Sequence, residues 1–312
     1  MNDMIENEAG MFQSQQTKYS PSAFAFAALG ILFALYQFVG GGITLLFVDG
    51  VITKDNVTAA RLATMLSQIV FLLVPTIYLA KRQHGRISEV FRWRIPSFLE
   101  SFLAVAGMVV MMQLSETYLY FQSKIPLPEQ LVPIINALKQ AIEEAFKVLI
   151  VAQSVPELLF VTVVAALTPA ICEELMFRGL IQKNFSLAYG SKKGFLLAGA
   201  IFGIYHLNPF WLVPLVSLGI YFSFLQYRSK TLLLPIAVHF INNAAATVGV
   251  FLYGTTDETT PTIFLGTEGG PSDSIVLGTG VLFAIIFFLI IVQYIKVTDS
   301  VHYEQGENDY AA

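Results

Sequence analysis

The chain has 312 residues, of which 55% are hydrophobic and 13% charged, about half the charged share of an ordinary soluble domain, so its solvent is lipid rather than water. A net charge of -4 without a Lys/Arg-rich stripe or tail lacks the electrostatic footprint of nucleic-acid binding, and nucleic acid is excluded as a partner. The single cysteine, Cys172, excludes an intrachain disulfide and a cysteine-ligated zinc ribbon; within an apolar helix it reads as a small filler.

Residues 1–22 are polar, with Asp3, Glu6 and Glu8 against the one cation Lys18; lacking the basic start of a secretory signal, they read as a mobile polar tail. Apolar runs at 23–48, 61–80, 99–121, 157–181, 232–253 and 275–295 are long enough to cross about 30 Å of hydrocarbon. Residues 131–150 differ in kind. Leu131, Ile134, Ile135, Leu138, Ile142, Phe146 and Leu149 recur at helical spacing opposite Asn136, Lys139, Glu143, Glu144 and Lys147, the pattern of a helix lying in the membrane surface as a connector or a lid.

Between Lys193 and Arg228 two further apolar stretches, 194–207 and 210–227, are parted by the turn-forming pair Asn208-Pro209. At about 1.5 Å per residue the first covers only about 21 Å, which predicts a helical hairpin stopping short of the far surface. Irregular backbone at that depth is tolerated only where protein buries it or water fills a cavity, so a cavity is expected here. The loop 254–274, with Asp257, Glu258, Glu268 and Asp273 among Gly and Thr, suits a solvated connection, and 298–312 read as a polar C-terminal tail. The expected fold is therefore all-α: a polytopic transmembrane helical bundle of about eight helices over residues 23–297, with a polar intramembrane cavity. With both termini cytoplasmic, all but Lys54, Arg61, Lys124, Lys139 and Lys147 of the 18 basic residues lie on or toward the inner face, a bias that favours this orientation over its inverse.

Ionisable groups inside hydrocarbon cost a few kcal/mol each, so each marks a site hypothesis. Glu116 stands alone in the third span. In the fourth, Glu174 and Arg178 are i,i+4 neighbours in the favoured order for pairing, while Glu173 points about 100° away and stays free of that pair. Pro169 withholds a donor from the carbonyl of Ala165 and bends the helix just before the acids. Phe202 and His206 stand one turn apart in the short fifth helix, as do His239 and Asn243 in the seventh. Measured from Lys183, Lys193 and Lys230 at about 1.5 Å per residue, Glu173, His206 and His239 lie roughly 15, 20 and 14 Å deep, one layer below one membrane face.

A carboxylate and an imidazole, Glu173 and His206, can hold a water, take its proton and return a proton to a leaving amine. His239 and Asn243 can donate to the oxyanion, a contribution of about 3 kcal/mol per well-placed donor. In this scheme no cofactor is required. The competing scheme makes Glu173, His206 and His239 ligands of zinc, although the chain has no HExxH motif.

Glu-Glu-x-x-x-Arg at 173–178, Phe-x-x-x-His at 202–206 and His-x-x-x-Asn at 239–243, with Gly179 and Asn208 beside them, resemble the CPBP family: CAAX prenyl proteases of type II and bacteriocin-processing or immunity (Abi) membrane proteins. The resemblance spans roughly residues 155–250, and the first three spans carry none of it. It implies a CAAX-type intramembrane protease of eight helices in which Glu173 activates water with His206, His239 and Asn243 stabilise the oxyanion, and Glu174, Arg178 and Phe202 support them. The partners it implies are membrane lipid and a membrane-associated protein or lipidated peptide substrate. Two other readings stand beside it: a non-enzymatic receptor or bacteriocin-immunity protein binding a peptide in the same cavity, and a proton-coupled transporter using Glu116, Glu173 and the histidines as a relay.

Overall fold

The protein is described by a computed structural model over residues 17–48, 50, 52–53, 55–254 and 271–304. Of the tails expected at 1–22 and 298–312, residues 1–16 and 305–312 lie outside the described residues, as do the loop acids Asp257, Glu258 and Glu268, while residues 21–22 and 298–304 are helical. Among those described there is no strand. Nine helices follow one another: α1 (Pro21–Phe47), α2 (Val57–His84), α3 (Phe98–Gln122), α4 (Val132–Ile150), α5 (Val155–Tyr189), α6 (Ser191–Tyr205), α7 (Leu212–Ser229), α8 (Leu233–Tyr253) and α9 (Asp273–Glu304). Helices α1, α2, α3, α5, α8 and α9 are long and apolar enough to cross a membrane, and the protein is an integral membrane protein. Large apolar side chains such as Leu46, Phe98 and Phe288 are exposed on their outer faces, where lipid receives them.

The hairpin expected between Lys193 and Arg228 is α6–α7. Its turn forms because Asn208 Oδ1 accepts the backbone N–H groups of Phe210 (3.1 Å) and Trp211 (3.3 Å), and because Leu207 adopts a left-handed conformation at φ 52°. The two helices pack backbone to backbone. A Cβ on Gly199 would run into the main chain of Gly219 and Ile220, so small residues here permit a contact that larger ones forbid. The 15 residues of α6 reach about 22 Å, which leaves the exposed His206 at the tip of a helix too short to cross the hydrocarbon. Helix α4 has the exposed apolar side chains of a surface helix, Ile134, Leu138 and Phe146, with Leu131 exposed just before it, and Lys139 and Lys147 both pair with Glu143 on its other side.

Polar side chains tie the helices together at the two ends of the bundle. At one end Gln83 bonds Tyr19 and Asn184, Arg94 holds the buried Glu100 and the carbonyl of Ser229, and Arg228 reaches Thr298 and Asp299. At the other end Arg61, 1% exposed, donates to the carbonyls of Leu149 (2.9 Å) and Val151 (2.5 Å) and to Glu157 (2.6 Å). Between these layers lie two apolar clusters, one gathering α1, α2, α5 and α6, the other α3, α7, α8 and α9. Helix α5 runs through the middle, with the acids on it.

Candidate active site

Helix α5 is unwound slightly in two places. Wider π-helical stretches at Val163–Leu167 and Leu175–Ile181 bracket the α-helical turns Thr168–Glu174, an irregularity found often at functional sites. Pro169 has no N–H for the carbonyl of Ala165, and that carbonyl accepts instead from Asn243 Nδ2 of α8 at 3.4 Å. Asn242 in turn donates to Asn243 Oδ1 at 3.1 Å. The helix break and the carboxamide are thus one arrangement.

Glu174 and Arg178 are both fully buried and paired at 2.9 Å. The same Glu174 Oε1 accepts from His239 Nδ1 at 2.8 Å, while Arg178 Nη2 donates to the carbonyl of Gly219 at 2.9 Å. An ionised carboxylate only accepts, so Nδ1 of His239 carries its proton and Nε2 is left with a lone pair when the ring is neutral. Aromatic rings fill the rest of the space. The Arg178 guanidinium lies 4.3 Å from the centre of Phe202 and 5.4 Å from that of Phe222, and Phe222 stacks on His239 at 5.1 Å. Glu174 Oε2 and Arg178 Nε have no partner among the described residues.

About 100° around the helix, Glu173 faces a different histidine. His206 Nδ1 lies 2.8 Å from the carbonyl of Phe202; a carbonyl accepts, so Nδ1 is the protonated nitrogen and Nε2 the acceptor. That Nε2 stands 3.9 Å from Glu173 Oε2, which has no hydrogen-bond partner. Two acceptors cannot bond each other across such a gap. The separation is that of two acceptors bridged by one water donating to each at about 2.8 Å. The pair opens on a cavity of about 180 Å³ lined by Tyr36, Gln37, Leu72, Glu173, Phe177, Tyr205 and His206.

The candidate residues are therefore gathered as two pairs rather than one ring. Glu173 with His206 faces the cavity; Glu174 with His239, and Asn243 beyond, sit against α7 and α8 and do not line it. Phe202 lies against both imidazoles, with ring centres 4.6 Å from His206 and 5.9 Å from His239. Among the described residues no group of three His, Cys, Asp or Glu is gathered closely enough to hold a metal ion, so Glu173, His206 and His239 do not assemble as a zinc donor set in this arrangement. Cys172 is buried in the apolar cluster around α5. Glu116 is half-buried on α3, whose main neighbours are α7, α8 and α9.

Sequence reasoning missed the wall supplied by α1 and α2. Tyr36 and Gln37 line the cavity, and Gln68 donates to the Tyr36 hydroxyl at 3.1 Å. A signal for them was present: Gln37 and Gln68 are carboxamides inside otherwise apolar spans.

Residues 155–245 match the sequence model of the family described as type II CAAX prenyl endopeptidase Rce1-like. This segment is similar to that family over less than a third of the chain, and it holds every candidate catalytic residue named above. Neither the curated proteins nor the solved structures gave a match.

Proposed function

We propose that the protein is an intramembrane endopeptidase that hydrolyses a peptide bond of a membrane-associated protein or lipidated peptide, with prenylated CAAX-type chains as the first candidates, by a water held between Glu173 and His206. The observation that carries this reading is the 3.9 Å separation of two unpartnered acceptors at the edge of a cavity inside the membrane-spanning bundle. Glu173 takes a proton from the water, and the resulting hydroxide attacks the scissile carbonyl. The proton then passes to the leaving nitrogen, giving a carboxylate and an amine.

His239 and Asn243 are proposed to stabilise the oxyanion: Asn243 keeps an amide hydrogen beyond its contact with Ala165, and His239, held at Nδ1 by Glu174, donates from Nε2 in the form that has taken a second proton from solvent before the substrate enters. That role requires the scissile carbonyl to point from the cavity past Phe202 toward α8. Glu174, Arg178 and Phe202 hold these rings in place. Both termini are proposed to be cytoplasmic, on the distribution of basic residues.

The test is cleavage of a fluorogenic farnesylated CAAX-type peptide and its unprenylated twin by the detergent-purified protein. Glu173→Gln and His206→Ala are each expected to lower turnover by at least about a hundredfold, the range for loss of a general base, and Asn243→Ala by about a hundredfold, the range for loss of an oxyanion donor. A chelator is expected to leave turnover unchanged. Loss of activity on chelation, restored by zinc, would favour the metal scheme, and peptide protection that survives Glu173→Gln would favour a binding protein.

A further inference from the structure

One wall of the Glu173 cavity comes from outside the matched segment. Tyr36 and Gln37 line it from the π-helical stretch Ala34–Gly40 of α1, a wider turn that lets two successive side chains face the same space. Their polar groups are arranged to receive something. Gln68 Nε2 donates to the Tyr36 hydroxyl oxygen, which leaves the hydroxyl proton available to an acceptor in the cavity. The half-buried Gln37 carboxamide has no hydrogen-bond partner among the described residues.

A peptide bond inside a helix has its carbonyl turned into the helix's own ladder, so the segment to be cut must arrive extended. At membrane depth an extended segment carries bare N–H and C=O groups that lipid does not satisfy. A carboxamide offers one donor edge and one acceptor edge, the complement of a peptide group lying alongside it.

We infer that α1 is the wall that binds the substrate's main chain: Gln37 pairs with a peptide group flanking the scissile bond, and Tyr36 donates to a neighbouring carbonyl. The ligand is an extended peptide segment recognised there by its backbone rather than by its side chains. This rests on the peptidase reading and adds to it the residues that present the substrate to Glu173.

The test reads affinity, so it does not depend on turnover. A fluorescein-labelled farnesylated CAAX-type peptide, and the same peptide N-methylated at the two amides flanking its scissile bond, are titrated onto the full-length Glu173→Gln protein. Methylation is expected to weaken binding about tenfold, the effect of one well-made hydrogen bond. Adding Gln37→Leu is expected to weaken binding of the unmethylated peptide by the same about tenfold and to abolish the difference between the two peptides. Tyr36→Phe, which removes only the donated proton, is expected to weaken binding several-fold. Unchanged affinity in both variants, or a full methylation effect that persists with Gln37→Leu, would overturn the inference. Absence of cleavage by the parent protein would instead overturn the peptidase reading, and the binding comparison would still stand.

Discussion

The adjacent carboxylates Glu173 and Glu174 have different surroundings, and this separates their roles. Glu174 is enclosed with Arg178 and His239, whereas Glu173 borders a cavity. Removing one member of a buried ion pair leaves the other charge uncompensated. Arg178→Ala is therefore expected to destabilise the protein by roughly 3–5 kcal/mol, seen as a large fall in the unfolding temperature in detergent. Glu173→Gln, which keeps the shape of a side chain whose Oε2 makes no hydrogen bond, is expected to stay within about 1 kcal/mol of the parent in the same experiment. The Glu174–Arg178 pair was legible in the sequence because i,i+4 spacing alone brings such side chains together. Glu173 was set with His206 from the sequence, and the structure has them 3.9 Å apart; that Glu174 meets His239 was not legible. That contact depends on how α6 and α8 are set against α5, and spacing within one helix carries no information about it.

At the scale of elements, the position of His206 depends on the α6–α7 hairpin, and the hairpin depends on a contact only glycine allows. Gly199→Ala is expected to force the two helices apart and cost about 1–3 kcal/mol, the range for overpacking. Gly249→Ala in α8, where a methyl meets nothing within 4 Å, is expected to be neutral or slightly stabilising because alanine favours helix. Thermal unfolding of the two variants side by side measures the difference. The hairpin itself was readable from Asn208-Pro209 and the short apolar stretches. Its backbone-to-backbone packing was not, since Gly199, Gly203 and Gly219 are spread over two helices whose register only the folded chain defines. The contribution of α1 escaped for a related reason: Tyr36 and Gln37 are far in sequence from Glu173, with which they line the cavity, and no motif joins them.

At the scale of the molecule, six spans, a hairpin and a surface helix follow from hydropathy and length, because lipid imposes those on any chain that crosses it. The polar ties at the two ends of the bundle do not follow from either. Arg61 joins α2 to the end of α4 and the start of α5 through its bonds to Leu149, Val151 and Glu157. Arg61→Ala is accordingly expected to raise amide hydrogen exchange across Val132–Ile150 while leaving α5 between Thr168 and Ile181 protected, a local loosening rather than a global one. Equal exchange in parent and variant would show that α4 is held by other contacts.

If Glu173 delivers a water molecule to a peptide bond, single-turnover cleavage in heavy-oxygen water traces that water into the product. The new carboxylate of the product is expected to carry one heavy oxygen in the first turnover, and Glu173→Gln to yield no product. A first-turnover product without the label, or cleavage that persists in Glu173→Gln, would contradict that role of Glu173.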